Sequence, residues 1–482
     1  MQRNLFVALV ALAIASTLAA QDVPLFTSDF PPEEFAARRA KVYAAIGENA
    51  IAVIQGAPSP EGYTRFRQTN ELYYLSGIEV PHAYLLLDGG QKRAALYLPH
   101  RHPARESSEG KLLSAEDADE VKKLSGIEIV FAQEMLAEHL ARMARSEPAR
   151  ALYTPFQPGE GMAVSRDLAM RRISDTSNDP WDGRASREAA FLASIRARYP
   201  QFELKDLTPA LDRLRLIKSP REIALITKAT RLAGLALIEA ARSTEPGILE
   251  SELDAVAKYF FYRNGGQGDA YYSLIANGSN AYFPHYNAGK TRLRDGDLLL
   301  MDYAPDVGYY MSDITRMWPV NGKFSPDQRD LYSFYVGCYR AILDAIRPGV
   351  TPAAIKKEAL VKMDALLARS RFSKEIYTKG AKDFVDGYRR SSENPSSTLG
   401  HWVGMATHDV GTDSGPLRPG MVFTIEPALR IPEERIYIRL EDLIVITEKG
   451  KDVPSDFIPM DVDGLEALMK PEGMLQRYPR DK

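Results

Sequence analysis

The C-terminal half of this 482-residue chain places four carboxylates and one histidine in or beside apolar, strand-like segments. The carboxylates occur in LLLMDYA, YYMSDITRMWPV, GMVFTIEPAL and IYIRLEDLIVIT, and the five residues are Asp302, Asp313, His401, Glu426 and Glu441. A buried carboxylate must be paired, protonated or bound to metal, because an isolated buried charge is very costly. Four carboxylates and one imidazole suit two divalent ions of the Mn, Co, Fe or Zn type. The sequence therefore predicts a dinuclear metal site.

The first two carboxylates are predicted to meet across a hairpin. Strands are expected near 298–304 and 309–320, and a turn centred on 307–308 would place Asp302 opposite Asp313. Directly opposed residues hold their Cβ atoms about 4.5–5.5 Å apart. This separation suits ions that lie about 3.5–4 Å apart. The alternative is an ordinary hairpin whose polar residues face solvent.

A second hairpin repeats this arrangement. Strands are expected near 421–429 and 436–446, and a turn centred on 433–434 would place Glu426 opposite Glu441. Two apolar hairpins with carboxylates at mirrored positions favour the metal site over the solvent-facing alternative.

Several segments resemble the aminopeptidase P and prolidase branch of the pita-bread metallopeptidases, a family that includes methionine aminopeptidase and creatinase. They are DYAPDVGYYMSDITRMWPVNGKFSPDQRDLY, HWVGMATHDVG, PGMVFTIEP and IRLEDLIVIT. The stretch FRQTNELYYLSGIEVPHAYLLLD at 66–88 resembles the N-terminal domain of aminopeptidase P. The resemblance implies an α/β N-terminal domain and an α+β pita-bread catalytic domain, in which two helix-and-antiparallel-strand halves surround a dinuclear metal site.

The resemblance also implies a role for each metal-site residue. Asp302 would bind one ion, His401 and Glu426 the other, and Asp313 and Glu441 both. A water held between two cations loses a proton near neutral pH and becomes the nucleophile. Glu426 would then pass a proton to the leaving amine.

Three further residues are predicted to support the chemistry. His285, in YYSLIANGSNAYFPHYN, and His408, in HWVGMATHDVG, match the substrate-side histidines of the resembled family. Both could donate to the scissile carbonyl or the oxyanion, although either could also be structural. Arg439 lies two residues before Glu441 and so shares a strand face with it. It is expected to pair with a metal carboxylate from outside the ligand set.

Length and composition predict two domains. The chain is too long for one ordinary core, and a boundary near 205 gives an N-terminal domain at 21–205 and a catalytic domain at 206–482. A net charge of −3 gives no reason to expect nucleic acid or an anionic membrane as partner. The single cysteine, Cys338, excludes an internal disulfide.

The first 20 residues have the pattern of a secretory signal peptide. Arg3 provides a positive start, an apolar run follows at 5–15, and the small residues Ala19 and Ala20 precede a polar pair. The pattern predicts secretion or a periplasmic location, with no stable membrane association after cleavage. An uncleaved N-terminal anchor is the alternative.

Hydrophobic periodicity predicts the main elements of both domains. In the N-terminal domain, helices are expected at 33–46 and 114–124, and strands at 50–56, 73–78, 83–88, 93–99 and 128–132. In the catalytic domain, helices are expected at 221–243, 249–264, 325–347 and 351–369.

Two features bear on substrate specificity. Relatives of aminopeptidase P usually carry a histidine four residues before the metal histidine, where this chain has Ser397. That departure puts the preference for proline in question more than metal-dependent hydrolysis. A prolidase needs a cation for the carboxylate of its dipeptide substrate, and the short loop 409–424 offers only Arg418.

The sequence thus favours an exported Xaa-Pro aminopeptidase that uses two divalent ions, with Mn expected, on peptides whose second residue is proline. An Xaa-Pro dipeptidase and a broader metalloaminopeptidase are alternatives with the same chemistry. A creatinase-like or binding protein is the alternative of another class, although binding-only relatives lose metal ligands and this chain keeps all five. The resemblance further implies a homo-oligomer, either a dimer or a tetramer.

Overall fold

A computed structural model describes residues 29–145 and 150–479. The predicted signal peptide at 1–20 lies outside the described residues. A mixed α/β region is followed by a region in which long helices pack against small antiparallel sheets. The predicted combination of an α/β domain with an α+β domain is therefore confirmed. None of the helices within the described ranges has the length and apolar character needed to cross a bilayer.

One six-stranded sheet forms the centre of the N-terminal region. Its strands are β1 (Ala50–Gln55), β2 (Tyr84–Asp88), β3 (Arg93–Leu98), β4 (Ile129–Ala132), β5 (Ala151–Thr154) and β6 (Glu203–Asp206). They are ordered β4-β3-β2-β1-β5-β6, with β1, β2 and β3 antiparallel and the outer pairs parallel. The helices of this region are Pro32–Ile46, Asn70–Ser76, Pro103–Glu109, Ala118–Ser125, Met135–Met143, Arg166–Asn178 and Arg187–Arg198. The boundary near 205 stays a prediction.

One predicted strand of this region is wrong. The segment 73–78 lies mostly in the helix Asn70–Ser76. Thr69 caps the start of this helix through its side chain, and Gly77 ends it in the left-handed region at φ 69°. Because the helix has only two turns, its caps determine that the segment is helical, although its aromatic residues favour a strand.

Long helices enclose the strands of the catalytic region. Ser219 and Glu222 form a capping box at the start of the helix Pro220–Ser243. The helices are Thr208–Leu216, Pro220–Ser243, Glu250–Arg263, Pro326–Ala345, Pro352–Arg369, Glu375–Ser392, Val462–Leu468 and Met474–Arg477. The strands are β7 (Gly268–Asp269), β8 (Leu274–Asn277), β9 (Leu298–Asp302), β10 (Pro305–Asp306), β11 (Thr315–Pro319), β12 (Val422–Ile425), β13 (Ala428–Ile431), β14 (Ile436–Arg439), β15 (Asp442–Ile446) and β16 (Lys451–Asp452).

The predicted register of the first hairpin is wrong by two residues. Strand β11 pairs with β9 so that Asp302 faces Thr315 rather than Asp313. The two central residues of the turn are Gly308 at φ 58° and Tyr309 at φ 73°. A two-residue hairpin turn of type I′ requires positive φ at both positions, so its centre lies one residue later than predicted. Since strand side chains alternate, a two-residue shift keeps both aspartates on the same face.

The register of the second hairpin is confirmed. Strands β12 and β13 pair with β15 and β14 in one continuous register, in which Ile425 faces Asp442. The same register places Glu426 opposite Glu441.

Candidate metal centre

A backbone bridge joins the two hairpins where their carboxylates lie. The N–H of Thr315 donates to the carbonyl oxygen of Glu441 at 3.2 Å, and the N–H of Glu441 donates back at 3.1 Å. The bridge brings both hairpins to one cavity of about 200 Å³. The cavity is lined by all eight predicted site residues, Asp302, Asp313, His401, Glu426, Glu441, His285, His408 and Arg439.

The five predicted ligands form overlapping groups. One ligand atom from each of Asp302, Asp313 and Glu441 lies within 4.8 Å of the others, and the same holds for His401, Glu426 and Glu441. A third group joins Asp313 and His401 to His408. Asp313, His401 and Glu441 each belong to two groups, so the three groups form one continuous cluster of possible ligands.

The donor atoms fit divalent cations. Asp302, Asp313 and Glu441 are buried, and Oε1 of Glu441 has no hydrogen-bond partner among the described residues. Burial and the neighbouring Asp302 raise the pKa of Asp313 to about 7. Burial and Asp313 likewise raise the pKa of Glu441 to about 7. A bound cation would offset both the burial and the repulsion between these carboxylates.

His401 presents one ring nitrogen to the carboxylates. Its Nδ1 lies 3.2 Å from the carbonyl oxygen of Trp402, which can only accept, so Nδ1 carries a hydrogen. Its Nε2 lies 3.4 Å from Asp313 and 3.5 Å from Glu426. Burial lowers the pKa of His401, but Asp313 and Glu441 outweigh burial and raise it well above its usual value. Nε2 is therefore the nitrogen available to a metal ion.

Arg439 contacts the carboxylates of the proposed ligands without being a ligand itself. Its guanidinium donates to Oδ2 of Asp302, to the hydroxyl of Thr315 at 3.1 Å and to Oε2 of Glu426 at 3.4 Å. Burial and the neighbouring Glu441 raise the pKa of Glu426 to about 7, while Arg439 opposes this rise. The arginine thus holds two of the proposed ligands in place.

Two contacting residues were missed by the sequence interpretation. The hydroxyl of Tyr271 lies 2.5 Å from Oδ1 of Asp302 and 2.7 Å from Oδ1 of Asp313. The hydroxyl of Thr315 donates to Oε2 of Glu441 at 2.9 Å. Thr315 could have been found from a correct hairpin register, whereas no sequence signal links Tyr271 to the site.

The two substrate-side histidines differ in their surroundings. The rings of His408 and His401 lie 4.3 Å apart between centroids. His285 lines the cavity, and partial burial of its ring, together with the nearby Arg439, lowers its pKa. Neither His285 nor His408 shares the dense hydrogen bonding of the carboxylates.

The two residues expected to affect specificity are absent from the cavity lining found among the described residues. Ser397 is buried and accepts a hydrogen bond from Nζ of Lys356 at 2.5 Å. Arg418 is exposed and donates to Asp413 at 2.8 Å.

Comparison with known proteins identifies the family. Residues 224–448 match the family model described as Metallopeptidase family M24, and residues 35–153 match Aminopeptidase P, N-terminal domain. A Xaa-Pro aminopeptidase of Haemophilus influenzae is 28% identical over 463 residues, covering 92% of this chain and 99% of the relative. Intermediate cleaving peptidase 55, mitochondrial, of Arabidopsis thaliana is 29% identical over 460 residues, covering 91% and 83%.

A solved structure shows the same likeness in three dimensions. Aminopeptidase P from Escherichia coli with the inhibitor Pro-Leu matches with a TM-score of 0.72 and 26% identity, covering 92% of this chain and 99% of that chain. The fold and the carboxylate-rich site define a metallopeptidase. The match places residues 224–448 in metallopeptidase family M24, with an aminopeptidase P N-terminal domain ahead of this pita-bread catalytic domain. Membership of this family implies divalent metal ions as cofactor, which fits the ligand groups of the cavity.

Proposed function

We propose that this protein is a metal-dependent Xaa-Pro aminopeptidase, which removes the first residue of a peptide whose second residue is proline. The observation that carries the proposal is the convergence of four carboxylates and His401 on one cavity. The similarity to a Xaa-Pro aminopeptidase over 92% of the chain supports the choice of substrate. Because all five proposed ligands are present, a peptidase is favoured over a creatinase-like or binding protein.

The five ligands are proposed to hold two divalent ions, with Asp313 and Glu441 shared. Mn²⁺ is the ion we expect, and Zn²⁺, Co²⁺ and Fe²⁺ also suit a set of carboxylates with one imidazole. When bound, such ions lower the pKa of water toward about 7 and polarise a carbonyl. The bridging hydroxide mechanism expected from the sequence stays a prediction.

The remaining chemistry falls to side chains of the cavity. Glu426 is proposed to take up a proton at its carboxylate and pass it to the nitrogen of the leaving amine. Its Oε2 lies 3.4 Å from Arg439, which fixes the orientation of the carboxylate. His285 and His408 are proposed to donate hydrogen bonds to the oxygen of the scissile carbonyl.

The charges of the cavity favour an aminopeptidase over a dipeptidase. A dipeptidase needs a cation to bind the terminal carboxylate of its substrate. Among the described residues that line the cavity, Arg439 is the only lysine or arginine. Its guanidinium is already bonded to Asp302 and Glu426. No lysine or arginine of this lining is therefore left to recognise the terminal carboxylate of a dipeptide.

Substrate length tests this choice. Tripeptides of the form Xaa-Pro-Yaa should be cleaved at least as well as Xaa-Pro dipeptides with the same first residue, and N-acetylated tripeptides should be inert. Product analysis by mass spectrometry gives the cleaved bond. Cleavage of dipeptides alone would establish the prolidase alternative.

Export and assembly complete the proposal. The pattern of residues 1–20 supports export with cleavage near Ala20, which N-terminal sequencing of the mature protein would test. An uncleaved N-terminus would contradict this location. A dimer or tetramer stays a prediction from the family resemblance, and light scattering of the purified protein would measure it.

A further inference from the structure

One wall of the metal cavity comes from the N-terminal domain of the same chain. Ala163, Ser165, Asp167 and Leu168 line the cavity beside the residues of the catalytic domain. Of these four residues, Asp167 contacts a side chain that is proposed to act in catalysis. Its Oδ2 lies 2.9 Å from Nδ1 of His408. Within the described ranges, this is the only hydrogen bond found to the ring of His408.

The N-terminal side of this contact is firmly anchored. The hydroxyl of Ser165 donates to Oδ1 of Asp167, which leaves Oδ2 for His408. The neighbouring Arg166 binds both carboxylate oxygens of Asp212 at 2.8 Å and Glu71 at 3.1 Å. Arg166, the residue before Asp167, thereby ties the start of the helix Arg166–Asn178 to Asp212 and Glu71.

The catalytic side of the contact is anchored in the same ionic cluster. The residue after His408 is Asp409, which is bound by Arg215 at 2.6 Å and by Lys218 at 3.1 Å. Arg215 also binds Glu160 of the N-terminal domain at 2.7 Å. The side chains of this cluster are almost completely buried. The ion pairs of Arg166 and Asp409 thus hold the residues next to them, Asp167 and His408, in place in the two domains.

We propose that Asp167 is a positioning residue for His408. An ionised carboxylate only accepts hydrogen bonds, so the contact places a hydrogen on Nδ1 and fixes the plane of the ring. Nε2 is then the nitrogen left to face the substrate. By this account the N-terminal domain supplies part of the active site, and it does so within one chain. The inference rests on the role of His408 in the proposed function.

A purely structural ion pair is the alternative explanation. The side chain of Asp167 is 54% exposed and that of His408 is 38% exposed. Exposed ion pairs contribute little to stability, so folding alone does not account for the arrangement. The two roles also predict different effects of removing Asp167. A positioning residue acts entirely through His408, whereas a structural ion pair does not.

A double-mutant cycle tests the proposal in the metal-loaded enzyme. Asp167→Ala should lower kcat on an Xaa-Pro-Yaa tripeptide by about 10–100-fold, the scale on which a partner that orients a metal-binding histidine contributes. KM, metal content and melting temperature should stay close to those of the wild type. In a His408→Ala background, Asp167→Ala should cause no further loss. Asp175→Ala, an exposed carboxylate on the same helix, is the matched control.

A second measurement, which does not depend on enzyme turnover, complements the double-mutant cycle. Zn²⁺-loaded protein labelled with ¹⁵N-histidine should show the Nδ1 signal of His408, assigned with His408→Ala, shifting in Asp167→Ala and staying in place in Asp175→Ala. An unshifted signal, or an additional loss of kcat in the His408→Ala background, would overturn the positioning role. If His408→Ala itself kept full activity, the proposed role of His408 would fail, and the ¹⁵N signal would still report whether Asp167 orients the ring.

Discussion

The hydroxyl of Tyr271 links two proposed ligands of the first hairpin, and it lies 2.5 Å from Oδ1 of Asp302. The same hydroxyl lies 2.7 Å from Oδ1 of Asp313. Burial and the two aspartates raise the pKa of Tyr271 well above its usual value, so the hydroxyl keeps its hydrogen. The hydroxyl of Tyr271 therefore restrains two proposed ligands, Asp302, which would bind one ion, and Asp313, which would bind both.

Removing this hydroxyl should loosen the metal site. Tyr271→Phe should lower the affinity for metal by about 10–100-fold, because partners that orient metal ligands contribute on this scale. Competition with a chelator of known affinity measures the change. Tyr272→Phe is the matched control, since Tyr272 lines the same cavity and its hydroxyl makes no hydrogen bond to a carboxylate of the described residues. Equal affinities in both variants would exclude a supporting role for Tyr271.

Loss of a shared ligand should be more severe. Asp313→Ala should abolish peptide hydrolysis and leave clearly fewer than two ions per chain, because both ions are proposed to depend on this carboxylate. Elemental analysis of the purified variant measures the occupancy. Asp344→Ala removes an exposed aspartate and should behave as the wild type. Full occupancy with full activity in Asp313→Ala would contradict the ligand assignment.

Loss of His408 should separate metal binding from catalysis. His408→Ala should keep both ions and lower kcat by about 10²–10³-fold, the loss expected when one donor to an oxyanion is removed. Steady-state kinetics on an Xaa-Pro-Yaa peptide and metal analysis of the same sample test this. An unchanged kcat would show that His408 is structural.

The positions of the five proposed ligands were accessible from the sequence because each carboxylate stands in an apolar strand-like segment. The register of the second hairpin was equally accessible, since its turn is local and its strands are symmetric about it. Such signals are carried by neighbouring residues, and periodicity reports them well.

The register of the first hairpin depended on contacts that are distant in sequence. Tyr309 adopts φ 73°, which is unfavourable for a bulky residue, so the sequence suggested Gly308 alone. In the structure the ring of Tyr309 stacks on Tyr73 of the N-terminal domain at 3.5 Å between centroids. Its hydroxyl also donates to Glu79 at 2.8 Å. These contacts stabilise the strained residue and move the turn by one position.

The contributions of Tyr271 and Asp167 to the site were inaccessible for a related reason. Asp167 lies 241 residues from His408 along the chain, and Tyr271 lies 42 residues from Asp313. Neither residue belongs to a pattern with a fixed spacing. The packing of the two domains brings Asp167 to the cavity, and the pairing of β8 with β9 brings the segment of Tyr271 there.

Removal of the metal should make stability depend on pH. Asp313, Glu426 and Glu441 have pKa values of about 7 in the folded protein, against ordinary values of 3.8 for aspartate and 4.5 for glutamate. At pH values between the ordinary pKa values and the raised ones, the folded state binds more protons than the unfolded state. In the metal-free protein these three carboxylates therefore contribute stability at the acidic end of this range, and the contribution is lost as pH rises through about 7.

Thermal melts between about pH 5 and pH 8, with and without a chelator, measure this effect. Added metal should remove most of the dependence, because it binds the folded state and neutralises the carboxylate repulsion. Parallel melting curves for the metal-free and metal-loaded protein would contradict the proposed role of these carboxylates.

A paired peptide panel tests the central claim most directly. Each pair shares its first and third residues and carries either proline or alanine second, and each is assayed with Mn²⁺-loaded and with chelator-treated enzyme. The account predicts cleavage of the first peptide bond only in the loaded enzyme, with the proline peptide hydrolysed faster in every pair. Undiminished cleavage after metal removal, or alanine peptides hydrolysed as fast as their proline partners, would contradict it.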